Sequence, residues 1–322
     1  MIEVRPVLDA EIAAALNALP LDPPATLESI PALRTASRAM EDRVDLCGSV
    51  ERRDHVVPSD PDAIVGVHRP RRGDRVSRAG IYWVHGGGYI LGSYRECDRQ
   101  LQRWCRLLDC VAVSVEYRLA PEHPYPAALE DCYAGLKWTY EHAAELGLDA
   151  ARLGVGGTSA GAGLAAALAL IARDRGEIPL AFQLLVAPML DDRKLTVSSR
   201  WDAPIWPPAS NELGWRSYLG ELRGHVVPPY AAAARAEHLS GLPPTLVVVG
   251  GVDGFLDESI AYAQRLLHAG ISTQLNVYSG APHGFLELAP ASRLANLANR
   301  DIEDWLGPFC GESSQAPVSD RR

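Results

Sequence analysis

Short apolar runs separated by longer stretches of helical spacing set the rhythm of the chain from residue 80 onward. The runs lie at 81–84, 111–115, 152–155, 182–186, 245–249 and 273–278. Helical patterns fall near 96–109, 127–146, 160–174 and 256–269, with a last one near 291–305. Strands that are apolar throughout must be covered on both faces, so this order predicts an α/β fold: a mostly parallel central sheet flanked by helices. Sites in such sheets gather at the C-terminal ends of the strands. Upstream, residues 52–57 and 63–68 read as two strands joined by a Pro-Ser-Asp-Pro-Asp turn, and are expected to pair antiparallel. The arginine-rich stretch 69–78 reads as a solvated hairpin loop broken by Pro70 and Gly73, in preference to an anion site.

The alternation fails between residues 192 and 242. No strand pattern is visible there, but Trp201, Trp206, Trp215, Tyr218 and Tyr230 stand among several prolines. This insertion is expected to form a cap over a pocket, the alternative being a satellite cluster at the domain edge. Residues 1–45 carry helical patterns and are expected to lie outside the sheet as a second cap segment. The expected organisation is therefore one catalytic domain over 46–310, with the 192–242 insertion, a helical 1–45 segment and a loose tail at 311–322.

Composition narrows the function classes. The 322 residues are 47% hydrophobic and 22% charged, with a net charge of -9, which offers nucleic acid no basic face. The longest apolar run is too short to span a membrane. Met-Ile-Glu-Val-Arg-Pro is not followed by an apolar run with a cleavage site, so no secretory signal is expected. Cysteines at 47, 97, 105, 110, 132 and 310 show neither paired nor zinc-like spacing, which points to reduced thiols, no metal and a cytoplasmic location.

Chemistry enters at Gly157-Thr-Ser-Ala-Gly161, which sits between a strand run and an alanine-rich helical run. In a strand–turn–helix of this kind the serine, here Ser159, is held in a strained conformation with its hydroxyl projecting from the sheet. His283, in a turn directly after the last strand, is the candidate base. Asp253, in the glycine-flanked loop after the strand at 245–249, is the candidate acid. Asp257 and Glu258 read instead as first-turn acids of the next helix, and Asp191 and Asp192 as weaker rivals. The order Ser159, Asp253, His283 is the one an α/β-hydrolase triad requires. His85-Gly-Gly-Gly-Tyr89 follows another strand, and its convergent N–H groups with that of Ala160 form a candidate oxyanion hole. His85 is expected to anchor this loop by hydrogen bonding. Tyr117, Arg118 and Glu122 read as a structural turn, with Arg118 paired to a carboxylate inside the fold.

Together, His85-Gly-Gly-Gly-Tyr89, Tyr117-Arg-Leu-Ala-Pro-Glu-His-Pro124, Pro126-Ala-Ala-Leu-Glu-Asp131, Gly157-Thr-Ser-Ala-Gly161, Asp253 and His283-Gly-Phe285 resemble the bacterial hormone-sensitive lipase-like esterases over residues 80–290. The resemblance implies an α/β-hydrolase fold with a helical cap and hydrolysis of short- to medium-chain carboxylic esters. It also implies no cofactor, frequent homodimers, and oxyanion donors at the backbones of Gly87, Gly88 and Ala160. Thr158 and Ala162 depart from the commoner acidic form of the elbow and match a threonine-type subgroup. Tyr89, Trp201, Trp206, Trp215 and Tyr218 are the substrate-pocket candidates. Amides and carbamates are alternative substrates for the same triad. A non-catalytic receptor of this fold is disfavoured, because all three triad positions are kept.

Overall fold

Eight strands build one sheet: β1 (Val50–Val57), β2 (Ala63–Pro70), β3 (Arg78–Val84), β4 (Val111–Glu116), β5 (Leu148–Thr158), β6 (Gln183–Val186), β7 (Thr245–Gly250) and β8 (Thr273–Tyr278). Their spatial order is β1-β2-β4-β3-β5-β6-β7-β8. β1 pairs antiparallel with β2, and β2 with β4; every later pairing is parallel. The computed structural model describes residues 7–19, 23–41, 47–71 and 77–311.

Each predicted run is a strand, and the central ones are buried along their length because both faces are covered. Side chains of one strand alternate between two cores. Tyr82 and Val84 of β3 point into one core, with Val113, Val115 and Val247. Ile81 and Trp83 point into the other, with Ala112, Leu246 and Val248. The first core is closed by α4 (Ala127–Glu141), α6 (Ala160–Arg175) and α8 (Leu256–His268), the second by α1 (Ala10–Asn17), α3 (Asp98–Leu108) and α9 (Arg293–Cys310). β5 begins at Leu148, ahead of its apolar run, because Leu148 pairs with Arg78 across a bulge. The helical stretch predicted at 127–146 breaks at His142 into α4 and a single turn, α5 (Ala143–Leu146).

One expectation fails. Residues 69–78 are not a hairpin loop, since β4 lies between β2 and β3. The turn residues mark a break, but local composition does not specify which strand the chain joins next. Arg69 pairs with Glu51 at 2.8 Å and Arg78 with Asp109 at 2.9 Å; residues 72–76 lie outside the described residues.

The 192–242 segment has no strand among its residues and one helix of more than a turn, α7 (Pro208–Leu219). Within the N-terminal stretch, α2 (Ile30–Glu41) follows α1. Asp9 caps α1 by accepting the Glu11 N–H at 2.9 Å, and its own N–H donates to Gly280 O at 2.9 Å. The expected tail lies outside the described residues apart from Gly311. No helix among the described residues is long and apolar enough to cross a membrane.

Candidate active site

At the C-terminal end of β5 the chain turns sharply through Ser159, whose φ of 58° and ψ of -122° lie where non-glycine residues are strained by about 1–3 kcal/mol. The turn is held by Ser159 N–H donating to Val186 O at 2.8 Å, and by Ser159 O accepting from Met189 N–H and Gly163 N–H. α6 starts at the next residue. A Cβ on Gly161 would fall 2.2 Å from the carbonyl oxygens of both Val84 and His85, so elbow and neighbouring loop approach as closely as the glycine spacing predicts. The alanine-rich run then packs on all sides: Ala160 through Ala172 are buried.

From this hydroxyl a hydrogen-bonded chain runs inward. His283 Nε2 lies 2.9 Å from Ser159 Oγ, and His283 Nδ1 lies 2.9 Å from Asp253 Oδ2. Because ionised Asp253 accepts only, it fixes the proton on Nδ1 and turns the Nε2 lone pair toward the serine. The second Asp253 oxygen accepts the Phe255 N–H at 2.9 Å, which locks the carboxylate. Val252 N–H donates to Ala281 O at 2.9 Å, tying the acid loop to the histidine loop. Asp253 is 1% exposed, Ser159 4% and His283 7%. Burial lowers the His283 pKa, but the charge of Asp253 and its hydrogen bond outweigh that, and the net displacement is upward.

Beside the serine, the loop after β3 turns through Gly87 and Gly88 with φ of 108° and 59°. The N–H groups of Gly87, Gly88 and Ala160 donate no backbone hydrogen bond among the described residues. His85 donates from Nδ1 to Gly86 O at 2.8 Å and stacks on Tyr117 at 4.0 Å. Burial pushes its pKa down to about 4, only partly opposed by the Gly86 bond, so the ring is a neutral anchor. Tyr117 Oη donates to His85 O at 3.1 Å, bracing the same loop.

The remaining candidates divide. Trp206 lies across the glycine loop after β3, since a Cβ on Gly88 would meet its ring at 2.1 Å. Tyr89, Trp215 and Tyr218 form a buried aromatic cluster, with Tyr89 stacked on Tyr218 at 3.9 Å and 5.3 Å from Trp215. These three, expected from the sequence to line the pocket, pack on one another with their rings buried. Trp201 is half-buried and follows the Ser198–Arg200 turn. Asp191 and Asp192 are spoken for by Arg193 and Arg235. Arg118 and Asp131 make the expected internal pair, at 2.8 Å.

Asp257 and Glu258 do open α8, but they do more than meet its dipole. Asp257 accepts the Ser198 N–H at 2.8 Å, and Glu258 accepts the Leu190 N–H at 2.7 Å, so the helix start pins both ends of the chain leaving β6. Sequence reasoning missed these roles and also Arg34, which reaches the oxyanion loop from α2. Nothing in a helical stretch marks one arginine as inward-facing.

Comparison with known proteins fits this geometry. A family described by the alpha/beta hydrolase fold matches residues 81–287. Esterase LipI of Mycobacterium tuberculosis is 37% identical over 218 residues, 67% of this chain and 68% of that protein. An arylesterase of Saccharolobus solfataricus is 32% identical over 228 residues, 68% of this chain and 72% of its own length. Among solved structures, a bacterial heroin esterase superposes with a TM-score of 0.89 at 36% identity, covering 95% of this chain and 98% of that one. A hyperthermophilic esterase from the archaeon Pyrobaculum calidifontis gives 0.84 at 30% identity, covering 94% and 99%.

Proposed function

We infer that this chain, which belongs to the α/β-hydrolase fold family and is a carboxylesterase, hydrolyses its esters through Ser159, His283 and Asp253 by way of an acyl-enzyme. The observation that carries the reading is the unbroken 2.9 Å chain from hydroxyl to imidazole to buried carboxylate at a strained elbow. In acylation, His283 Nε2 takes the proton as Ser159 Oγ attacks the ester carbonyl. The Gly87, Gly88 and Ala160 N–H groups stabilise the oxyanion, a donor of this kind being worth about 3 kcal/mol. Collapse of the tetrahedral intermediate passes the imidazolium proton to the leaving alcohol. Deacylation repeats the sequence with water, and Asp253 stabilises the imidazolium each time.

Short- to medium-chain carboxylic esters are the proposed substrates, bound under a cap formed by 192–242 and the N-terminal helices. The contact of Trp206 with Gly88 supports that placement. A homodimer is proposed through the unpaired edge of β8, and a cytoplasmic location from the free thiols. Ser159→Ala should abolish hydrolysis of p-nitrophenyl butyrate and labelling by a phosphonate. Retention of full activity would discard the mechanism.

A further inference from the structure

We propose that Arg34 is a positioning residue that sets the oxyanion loop. The proposal rests on the reading of Gly87, Gly88 and Ala160 as oxyanion donors, and extends it to a side chain outside the hydrolase core. Arg34 Nε donates to Ile90 O at 2.8 Å, two residues beyond Gly88, and Nη2 donates to Ala120 O at 2.8 Å. Ala120 N–H in turn donates to Tyr89 O at 2.9 Å. One guanidinium thus bridges the carbonyls on either side of the only strut joining the oxyanion loop to the 117–126 turn among the described backbone bonds. Inside the loop, Gly87 O accepts from Ile90 N–H at 3.1 Å and Leu91 N–H at 2.9 Å. Moving Ile90 therefore moves Gly87 as well.

The other half of the guanidinium meets Glu122, with Nη1 and Nη2 each 2.9 Å from a carboxylate oxygen. That pair lines an open cavity of about 360 Å³ with Tyr117 and Arg118, and the Glu122 side chain is 53% exposed. A solvated ion pair of this kind contributes little to stability. It occupies the far side of the fork, whereas the reach to both carbonyls is set by Nε and Nη2 of the rigid guanidinium itself. Lysine carries its three donors on one nitrogen at the end of a flexible stem and lacks the fixed spacing of the fork.

The test compares kcat and KM of the parent, Arg34→Ala, Arg34→Lys and Glu122→Gln on a p-nitrophenyl ester and on its thionoester. Sulfur accepts hydrogen bonds poorly, so the ester-over-thionoester preference reports the alignment of the oxyanion donors. In both Arg34 variants kcat for the ester is expected to fall about 10- to 100-fold. KM should stay within about threefold, and the ester preference should shrink by a similar factor. Glu122→Gln keeps the carbonyl bridges and should stay within about threefold of the parent. The proposal is overturned by Arg34 variants within twofold of the parent, or by a loss of rate, measured well below their melting points, that leaves the preference unchanged. Should Arg34→Ala not fold, Arg34→Lys decides by the same criteria. A parent with no ester preference would remove the oxyanion reading, and this proposal with it.

Discussion

Gly161, in the first turn of α6, lies so close to His85 that any side chain at 161 would sit inside the His85 carbonyl, 2.2 Å from its oxygen. Elbow and oxyanion loop are thus pressed into one backbone unit, and their separation is set by the absence of a Cβ. Gly161→Ala should push the loop off the serine. We expect about 1–3 kcal/mol of destabilisation by denaturant unfolding, as for other overpacked sites. The accompanying fall in kcat should be about 100-fold, because the displaced donors act chiefly in the transition state.

The acid limb of the pH–rate profile should belong to His283. Its neutral form is the base, so activity is present above its pKa and lost as pH falls through it. The net effect of Asp253 is upward, which puts the limb of kcat/KM above the ordinary histidine value of about 6.5. Asp253→Asn keeps the burial and removes the opposing charge. The limb should then move to lower pH, while kcat falls about 10⁴-fold as the wrong tautomer is favoured.

His85 should show itself in stability. Its pKa is held down near 4 by burial, whereas in the unfolded chain it accepts a proton near 6.5. Stability is therefore whole above pH 6.5 and lost between there and pH 4, by about 3 kcal/mol at 1.36 kcal/mol per pH unit. Denaturation of the parent and of His85→Gln across that range should show the variant with the shallower decline.

Glu258 gives the opposite slope. Burial, opposed by the Leu190 and Asp191 amides, lifts its pKa well above the usual carboxylate range. The folded state favours the protonated form, so a penalty grows as pH rises above the ordinary glutamate value of about 4.3. Glu258→Gln keeps an oxygen for the Leu190 and Asp191 amides and cannot ionise. Its melting temperature should gain on the parent as pH rises above that ordinary glutamate value.

Much of this was legible in the residues themselves. Strands buried on both faces announce themselves as unbroken apolar runs, which is why β3, β4 and β7 were visible at once. Ser159, Asp253 and His283 stand out because strand-end loops holding a nucleophile, an acid and a base in that order are few. The bracing was hidden. Arg34 looks like a surface charge, and only the fold brings its guanidinium from α2 to the carbonyl of Ile90. The path from β2 to β3 was hidden for a related reason: a turn marks where a strand stops, not which neighbour comes next.

The contact of Asp9 with Gly280 bears on how the molecule is made. Ile12 and Leu16 of α1 are seated among Tyr278, Ala281, Phe285 and Leu294. During synthesis that helix is made well before its seat, which lies beyond β7 in the chain. Ile12 and Leu16 must therefore wait without their partners until residues 278–294 have been made. A nascent chain halted before residue 280 would carry Ser159 and the glycine loop but no seat for α1.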